Sequence, residues 1–196
     1  MKNLRPLFVI LLSCYFSLHS GQPGAEPKYV GNQGCGCHKS QIKSWTRSAH
    51  GKAFESLKPG KRKTAKKRAN LDPDKDYTRD KKCLKCHTTG YRENGGFRDM
   101  ASTPELKGVG CESCHGPGSK YRILHDEKPS SLTREENKAD GAWYGSEDPD
   151  VCLACHNDDS MMTEKIDPKY KFDWKQALEK RKSYHTKITY DFKFKY

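Results

Sequence analysis

Three segments of this chain repeat one pattern, in which two cysteines enclose two residues and a histidine follows the second cysteine. The pattern is typical of covalent c-type haem attachment, because the two thiols add to the vinyl groups of the porphyrin and the histidine binds its iron. Several apolar macrocycles packed together are expected to supply the core that the side chains do not. The predicted attachment cysteines and proximal histidines are those of CLKCH (Cys83, Cys86, His87), CESCH (Cys111, Cys114, His115) and CLACH (Cys152, Cys155, His156).

The amino-acid composition also favours haem as the main content of the core. Only 33% of the 196 residues are hydrophobic and 32% are charged, which leaves little apolar surface for a conventional core. Zinc sites and disulfides are the alternatives for closely paired cysteines, but zinc ribbons do not require a histidine after every second cysteine. We therefore expect haem groups to supply most of the buried apolar material.

A fourth segment, CGCH at 35–38, has one residue fewer between its cysteines. Its second cysteine and histidine are adjacent as in the other motifs, and the following KSQIKSW predicts a helix. We expect a haem on Cys37 and His38. The shortened spacer leaves open whether Cys35 also forms a thioether or remains a free or disulfide-linked thiol.

Three further histidines, His50, His125 and His185, are candidates for the second axial position on iron, surface histidines being the alternative. Residues 44–57 have helical spacing that aligns His50 with apolar neighbours. Residues 172–185 predict a helix with Asp173 as N-cap and His185 on its apolar side. Three distal ligands for four haems would leave one iron five-coordinate.

Neighbouring histidines in the sequence should not share an iron. Twelve helical residues span about 18 Å, so His38 and His50 are too far apart along a helix to face each other across one metal. We therefore expect distal ligands to connect different haem motifs and to hold the fold together.

Residues 1–25 predict an exported protein with a mature domain over 26–196. Lys2 and Arg5 precede LFVILLSCYFSL, which is too short to span a bilayer comfortably and is typical of a secretory signal peptide. This predicts a periplasmic protein. The alternatives are an extracellular protein and an outer-membrane lipoprotein, since LLSC ending at Cys14 resembles a lipoprotein signal; membrane attachment is expected only if Cys14 is lipidated.

The chain resembles the tetrahaem cytochrome c-554 family over roughly residues 31–128 and 150–190. The resemblance is carried by GVGCESCHGPG (108–118), SWTRSAHGKAFESLKP (44–59), LDPDKDYTRDKKCLKCHTTGY (71–91) and KYKFDWKQALEK (169–180). It implies a mainly α-helical fold with little β structure, in which a single domain holds four haem c groups that are partly stacked in pairs.

The resemblance also implies a set of distal ligands. His125 would be the distal ligand of the haem on His38. His50 would be the distal ligand of the haem on His115, and His185 that of the haem on His156. The haem on His87 is the five-coordinate one in that family. In that family, a longer segment after the fourth motif covers the iron of the haem on His87, and this chain is shorter there. Met161 or Met162 is therefore a candidate ligand of that iron; the alternative is that both methionines only fill space in the core.

The basic segment 58–68, KPGKRKTAKKR, contains seven lysines and arginines and no acid. The formal charge of the chain is +12, or +10 without Lys2 and Arg5, and about eight haem propionates would bring it near neutral. The basic segment is then a local patch, which suits docking to the acidic surface of a redox protein. A solvated helix face is the alternative, and an exported chain is not expected to bind nucleic acid.

These observations favour an electron-transfer protein over an enzyme. We expect a multihaem c-type cytochrome that carries electrons between redox partners outside the cytoplasm. One alternative is a small nitrogen-oxide reductase at the five-coordinate haem on His87, although no dedicated proton donor is evident. The other is a subunit of an extracellular cytochrome filament.

Overall fold

The computed structural model describes residues 25–123, 133–180 and 184–186. Within these ranges the chain forms short helices and turns without a β-strand, and its only β pairing is an isolated antiparallel bridge between Thr88 and Lys107. None of the helices described combines the length and apolar character that a membrane crossing requires. The α-helices are α1 (Lys39–Trp45), α2 (Lys63–Arg68), α3 (Lys81–His87), α4 (Glu112–His115), α5 (Arg134–Ala139), α6 (Asp150–Leu153) and α7 (Trp174–Glu179).

The prediction of a mainly α-helical fold with little β structure is confirmed. Four 3-10 helices supplement the α-helices, at Asn32–Cys35, Phe54–Leu57, Pro104–Leu106 and Pro168–Tyr170. All of these elements are seven residues or shorter, so tertiary contacts rather than helix propensity must stabilise them.

Local capping signals fix several helix starts. The predicted N-cap Asp173 is confirmed, since its carboxylate accepts a hydrogen bond from the Gln176 N–H at 2.8 Å at the start of α7. The predicted extent to residue 185 is wrong, because α7 ends at Glu179 and His185 lies outside any helix. Asp80 caps α3 in the same way, accepting from the Lys82 N–H at 2.9 Å. The predicted helix after CGCH is also confirmed, as α1.

The predicted helix over residues 44–57 is wrong in its middle. Helix α1 ends at Trp45, a series of turns follows, and a 3-10 helix begins at Phe54. The chain folds back on the end of α1 so closely that a side chain on Gly51 would collide with the Trp45 carbonyl. The Val109 N–H then donates to the His50 carbonyl at 3.1 Å and holds the turn in place.

Among the residues described, a side-chain core is found only before residue 124. One cluster of buried residues surrounds the second haem motif, with Phe97 fully buried and its ring centroid 5.8 Å from that of Phe54. Leu84, inside the motif itself, is 4% exposed and belongs to this cluster. The cluster consists of Tyr29, Phe54, Leu57, Tyr77, Leu84, Phe97 and Leu106.

The second part of the molecule has almost no buried side chains. Of the residues described from 133 onward, Ala142 is the only one that is buried. Helices α5, α6 and α7 have no buried residue at all. Side-chain packing alone therefore does not account for the compactness of this part of the chain.

Candidate haem-binding site

Helix α3 presents the second haem motif, and its last residue, His87, is oriented by a backbone carbonyl. The Nδ1 atom of His87 lies 2.7 Å from the Ala53 carbonyl oxygen and 3.1 Å from the Ser56 hydroxyl. A carbonyl can only accept, so Nδ1 carries the proton and Nε2 is left with its lone pair. This is the tautomer that a haem iron requires, and the Ala53 carbonyl is the kind of outer contact that fixes the orientation of a ligating imidazole.

Burial favours the neutral form of the motif histidines. Desolvation lowers the pKa of His87, although the hydrogen bond to Ala53 opposes it. Desolvation is likewise the main cause that lowers the pKa of His50, His115 and His156. Metal binding needs neutral imidazole, so the fold prepares these side chains as ligands.

Two pairs of histidine rings lie opposite each other. The ring centroids of His50 and His156 are 6.1 Å apart with an interplanar angle of 73°, and those of His115 and His185 are 6.3 Å apart at 35°. With metal–nitrogen bonds of about 2 Å and about 1 Å from nitrogen to ring centre, two imidazoles on one metal have centroids about 6 Å apart. Both pairs therefore have the separation that axial coordination of one iron requires.

These pairs differ from the pairing implied by the resemblance, which is wrong for His50 and His185. The two distal histidines are exchanged, so that His50 faces the fourth motif and His185 faces the third. The exchange has a structural cause, because the segment around His185 crosses α1: the Thr186 N–H donates to the Ser44 hydroxyl at 2.8 Å. His185 also has its Nδ1 3.0 Å from the Thr186 carbonyl, which leaves Nε2 for a metal.

Contacts between the motif cysteines show which motifs are neighbours. Cys35 of the first motif lies close to Cys111 of the third. Cys86 of the second motif likewise lies close to Cys155 of the fourth. Cys114 and Cys152 interact electrostatically, which brings the third and fourth motifs together.

The first motif follows directly from a 3-10 helix. Cys35 ends this helix, and its carbonyl accepts from the His38 N–H at 2.9 Å. His38 is the N-cap residue of α1, and the Cys37 side chain is exposed. The electrostatic effect of His38 on His115 places the first motif close to the third. His125, the predicted distal ligand of this site, lies outside the residues described, as do Cys14 and the predicted leader up to residue 24.

Several buried polar atoms fit the presence of haem. In the part of the chain that is described, Gln41 Nε2 and Ser113 Oγ are buried without a hydrogen-bond partner. Buried polar atoms are nearly always satisfied, so unpaired donors beside two haem motifs suit the propionates of a bound porphyrin. Together with the imidazole pairs His50–His156 and His115–His185 and the orientation of His87, these donors fit the haem c groups that the motifs predict.

The sequence did not identify every residue that builds the site. The Ala53 carbonyl belongs to the backbone, so no residue type in the sequence indicates its contact with His87. Glu112, by contrast, has one: it is a carboxylate at a motif position where the second and fourth motifs have leucine. Met161 is 42% exposed and Met162 partly buried, and a contact of either with the haem on His87 remains a prediction.

Comparisons with known proteins agree with the geometry. A family model described as cytochrome c554 and c-prime matches residues 34–116. The cytochrome c-554 of Nitrosomonas europaea is 36% identical over 195 residues, which cover 90% of this chain and 83% of the relative. The solved structure of the reduced state of cytochrome c554 from the same organism superimposes with a TM-score of 0.72 and covers 87% of this chain and 94% of that one. The chain belongs to the cytochrome c-554 family of multihaem c-type cytochromes.

Proposed function

We propose that this protein is an extracytoplasmic electron carrier whose 26–196 domain holds four haem c groups. The observation that carries the proposal is the pair of opposed histidines, His50 with His156 and His115 with His185, at the separation expected for two axial ligands. Bis-imidazole ligation occupies both axial positions, which suits electron transfer and disfavours substrate binding at those irons.

Each haem has a proposed set of ligands in this chain. The third haem is held by Cys111 and Cys114 with His115 and His185, and the fourth by Cys152 and Cys155 with His156 and His50. The second is held by Cys83, Cys86 and His87. The first is held by Cys37 and His38, with Cys35 as a second attachment point and His125 as the proposed distal ligand.

The contacts between motifs support an order for the haems. The first motif adjoins the third through Cys35 and Cys111, the third adjoins the fourth, and the fourth adjoins the second through Cys155 and Cys86. Electrons would therefore enter or leave at the first and second sites and pass through the third and fourth. Haem supplies the one-electron chemistry, while the protein orients the imidazoles, keeps them neutral and excludes water.

The distal assignment can be tested by removing one haem and one histidine together. Replacement of His50 should convert the haem on His156 from low spin to high spin, as seen by electron paramagnetic resonance. In a C152A/C155A protein, which lacks the fourth attachment site, H50A should add no high-spin signal. A high-spin signal from H50A in that background would assign His50 to another iron. H185A is the matched control, since in the C152A/C155A protein it should still convert the haem on His115 to high spin.

The docking surface is proposed to lie beside the second haem. Lys61, Arg62 and Lys67 of the basic segment are exposed, whereas Lys66 is buried and donates to the Lys58 carbonyl at 2.7 Å. Lys66 nonetheless acts electrostatically on Cys83, which places α2 close to α3. Exposed Lys81, Lys82 and Lys85 extend the positive surface around this motif.

An acidic redox protein is the partner that this surface fits. Charge reversal in K61E/K67E should slow electron exchange with an acidic carrier protein at low ionic strength. It should also make the rate of this exchange less dependent on salt concentration. The matched control is K175E/K180E, which changes two exposed lysines at the opposite ends of α7 and should leave the rate unchanged. Equal effects of the two double variants would contradict a localised docking surface.

The haem on His87 supports a second candidate function. Among the residues described, no histidine ring faces His87 as His50 faces His156, so this iron is proposed to be five-coordinate. Nitric oxide added to the ferrous protein should change its spectrum, and catalytic turnover would indicate a reductase. Binding without turnover, in a particle that remains monomeric by size-exclusion chromatography, would favour the carrier over both the reductase and a filament subunit.

The proposed export and attachment state can be read from one measurement. The intact mass of the mature protein under denaturing conditions should correspond to a chain beginning near residue 26 with four covalent haems. A mass with three would mean that the CGCH site has lost its covalent bond. An added lipid on a chain beginning at Cys14 would identify an outer-membrane lipoprotein in place of a periplasmic protein.

A further inference from the structure

Glu112 is a buried carboxylate inside the third haem motif. Its side chain is 1% exposed, and no ion pair to it is found among the residues described. The corresponding positions of the second and fourth motifs are Leu84 and Leu153, so the haem chemistry itself does not require an acid there. A buried charge without a cation is costly unless hydrogen bonds compensate it, and its presence therefore calls for a structural reason.

Backbone N–H groups on both sides of the motif provide this compensation. Oε1 of Glu112 accepts from the Gly118 N–H at 2.7 Å and from the Val30 N–H at 3.0 Å. Oε2 accepts from the Gly31 N–H at 2.7 Å and from the Val30 N–H at 3.1 Å. Such charge-assisted bonds are stronger than neutral ones, and here they join chain segments more than eighty positions apart.

The segment held by Glu112 leads directly into the first haem site. Val30 and Gly31 precede the 3-10 helix that ends at Cys35. Two further contacts attach this helix to the third motif: Asn32 Oδ1 accepts from the Cys111 N–H at 3.2 Å, and the Cys35 side chain lies close to that of Cys111. These contacts join the chain that enters the first haem motif to the third motif.

We propose that Glu112 is a positioning residue that fixes the first haem site against the third motif and compensates for its shortened cysteine spacing. The inference rests on the proposed four-haem function. With one residue fewer between them, Cys35 and Cys37 cannot have the spacing of the three complete motifs, so covalent attachment constrains this haem less than the others. The carboxylate supplies the missing constraint by fixing the chain that enters the motif.

The test compares two glutamate-to-glutamine variants. In E112Q the amide nitrogen is a donor that faces backbone N–H donors, so the hydrogen bonds accepted by at least one of the two Glu112 oxygens are lost. We expect E112Q to lose one haem from most molecules, located by peptide mass mapping to residues 35–38, or to retain it with a shifted midpoint potential. The control is E105Q, which makes the same charge change on an exposed side chain that also lies beside Gly31; it should retain four haems and unchanged potentials.

A rescue experiment separates positioning from general stability. Insertion of one alanine after Gly36 restores the usual two-residue spacer, and it should restore the first haem in the E112Q background. If E112Q does not accumulate, the same insertion should restore its accumulation, and E112D should show an intermediate loss. E112Q with four haems and unchanged potentials, or a defect that the insertion leaves uncorrected, would overturn the inference.

The controls also distinguish failure of this inference from failure of the proposed function. A wild-type protein with only three haems in its native mass would overturn the four-haem assignment and the inference together. A wild-type protein with four haems and an E112Q protein identical to it would overturn the role of Glu112 alone.

Discussion

The two parts of the molecule on either side of the segment 124–132 are stabilised in different ways. The part before it contains a cluster of seven buried side chains around the second haem motif. The part after it, as far as it is described, buries only Ala142, although it contains a complete haem motif. The difference indicates that one half of this protein folds around side chains and haem together, and the other around haem almost alone.

Removal of the fourth haem should have the largest effect on this comparison. In C152A/C155A the helices α5, α6 and α7 lose the haem of the fourth motif, which lies in their own part of the chain. We expect the exchange of their amides to rise strongly, while amides around Phe97 remain protected, as measured by hydrogen exchange with mass spectrometry.

The reciprocal variant is the control for that prediction. In C83A/C86A the second haem is lost, but the apolar cluster around Phe97 remains, so exchange in the first part should rise much less. Equal loss of protection in the two variants would mean that both halves depend on haem to the same degree.

Two leucines at the same motif position provide a matched comparison of smaller size. Leu84 of the second motif is 4% exposed, whereas Leu153 of the fourth is 39% exposed. L84A should lower the free energy of unfolding by about 2–5 kcal/mol, because it leaves a cavity in the apolar cluster. L153A should lower the free energy of unfolding by less than about 1 kcal/mol, as is usual for exposed positions. Chemical denaturation of the holoproteins measures both; a large effect of L153A would show that its haem contact replaces a side-chain core.

Local sequence signals predicted the elements that local interactions determine. The motif cysteines and histidines, the Asp173 cap and helix α1 follow from neighbouring residues in the chain. The same reasoning extended a helix through residues 46–53, because the periodicity of apolar residues does not reveal that Gly51 packs against the end of α1.

The assignment of distal histidines could not be read from local patterns. Whether His185 faces the third or the fourth motif depends on the path of the chain, and that path is fixed by contacts such as that between Ser44 and Thr186, 142 positions apart. Glu112 was missed for the same reason, since its hydrogen bonds depend on Val30 and Gly31. Residue type and spacing predict the candidate ligands of a multihaem protein, but tertiary contacts decide which candidates face each other.

The smallest expected effect concerns an ion pair that joins the two parts. Asp167 pairs with Arg68 of α2, and its pKa is lowered below its usual value mainly by the hydrogen bond from the Lys169 backbone N–H. A carboxyl with a lowered pKa contributes stability above its unfolded pKa and loses that contribution as the pH falls through its folded pKa. D167N should therefore slightly reduce stability at neutral pH and make no difference in strong acid, where the wild-type carboxyl is protonated as well.

The measurement that locates this effect is amide exchange of α7 and of the 3-10 helix at Pro168–Tyr170, at neutral and acidic pH. D99N is the matched control, because a backbone hydrogen bond from Ser102 likewise lowers the pKa of Asp99, but Asp99 lies entirely within the first part. D167N should increase exchange in the second part at neutral pH alone, and D99N should not affect that part at any pH. An effect of D167N that persists in strong acid would mean that Asp167 acts through the turn it forms and not through its ion pair with Arg68.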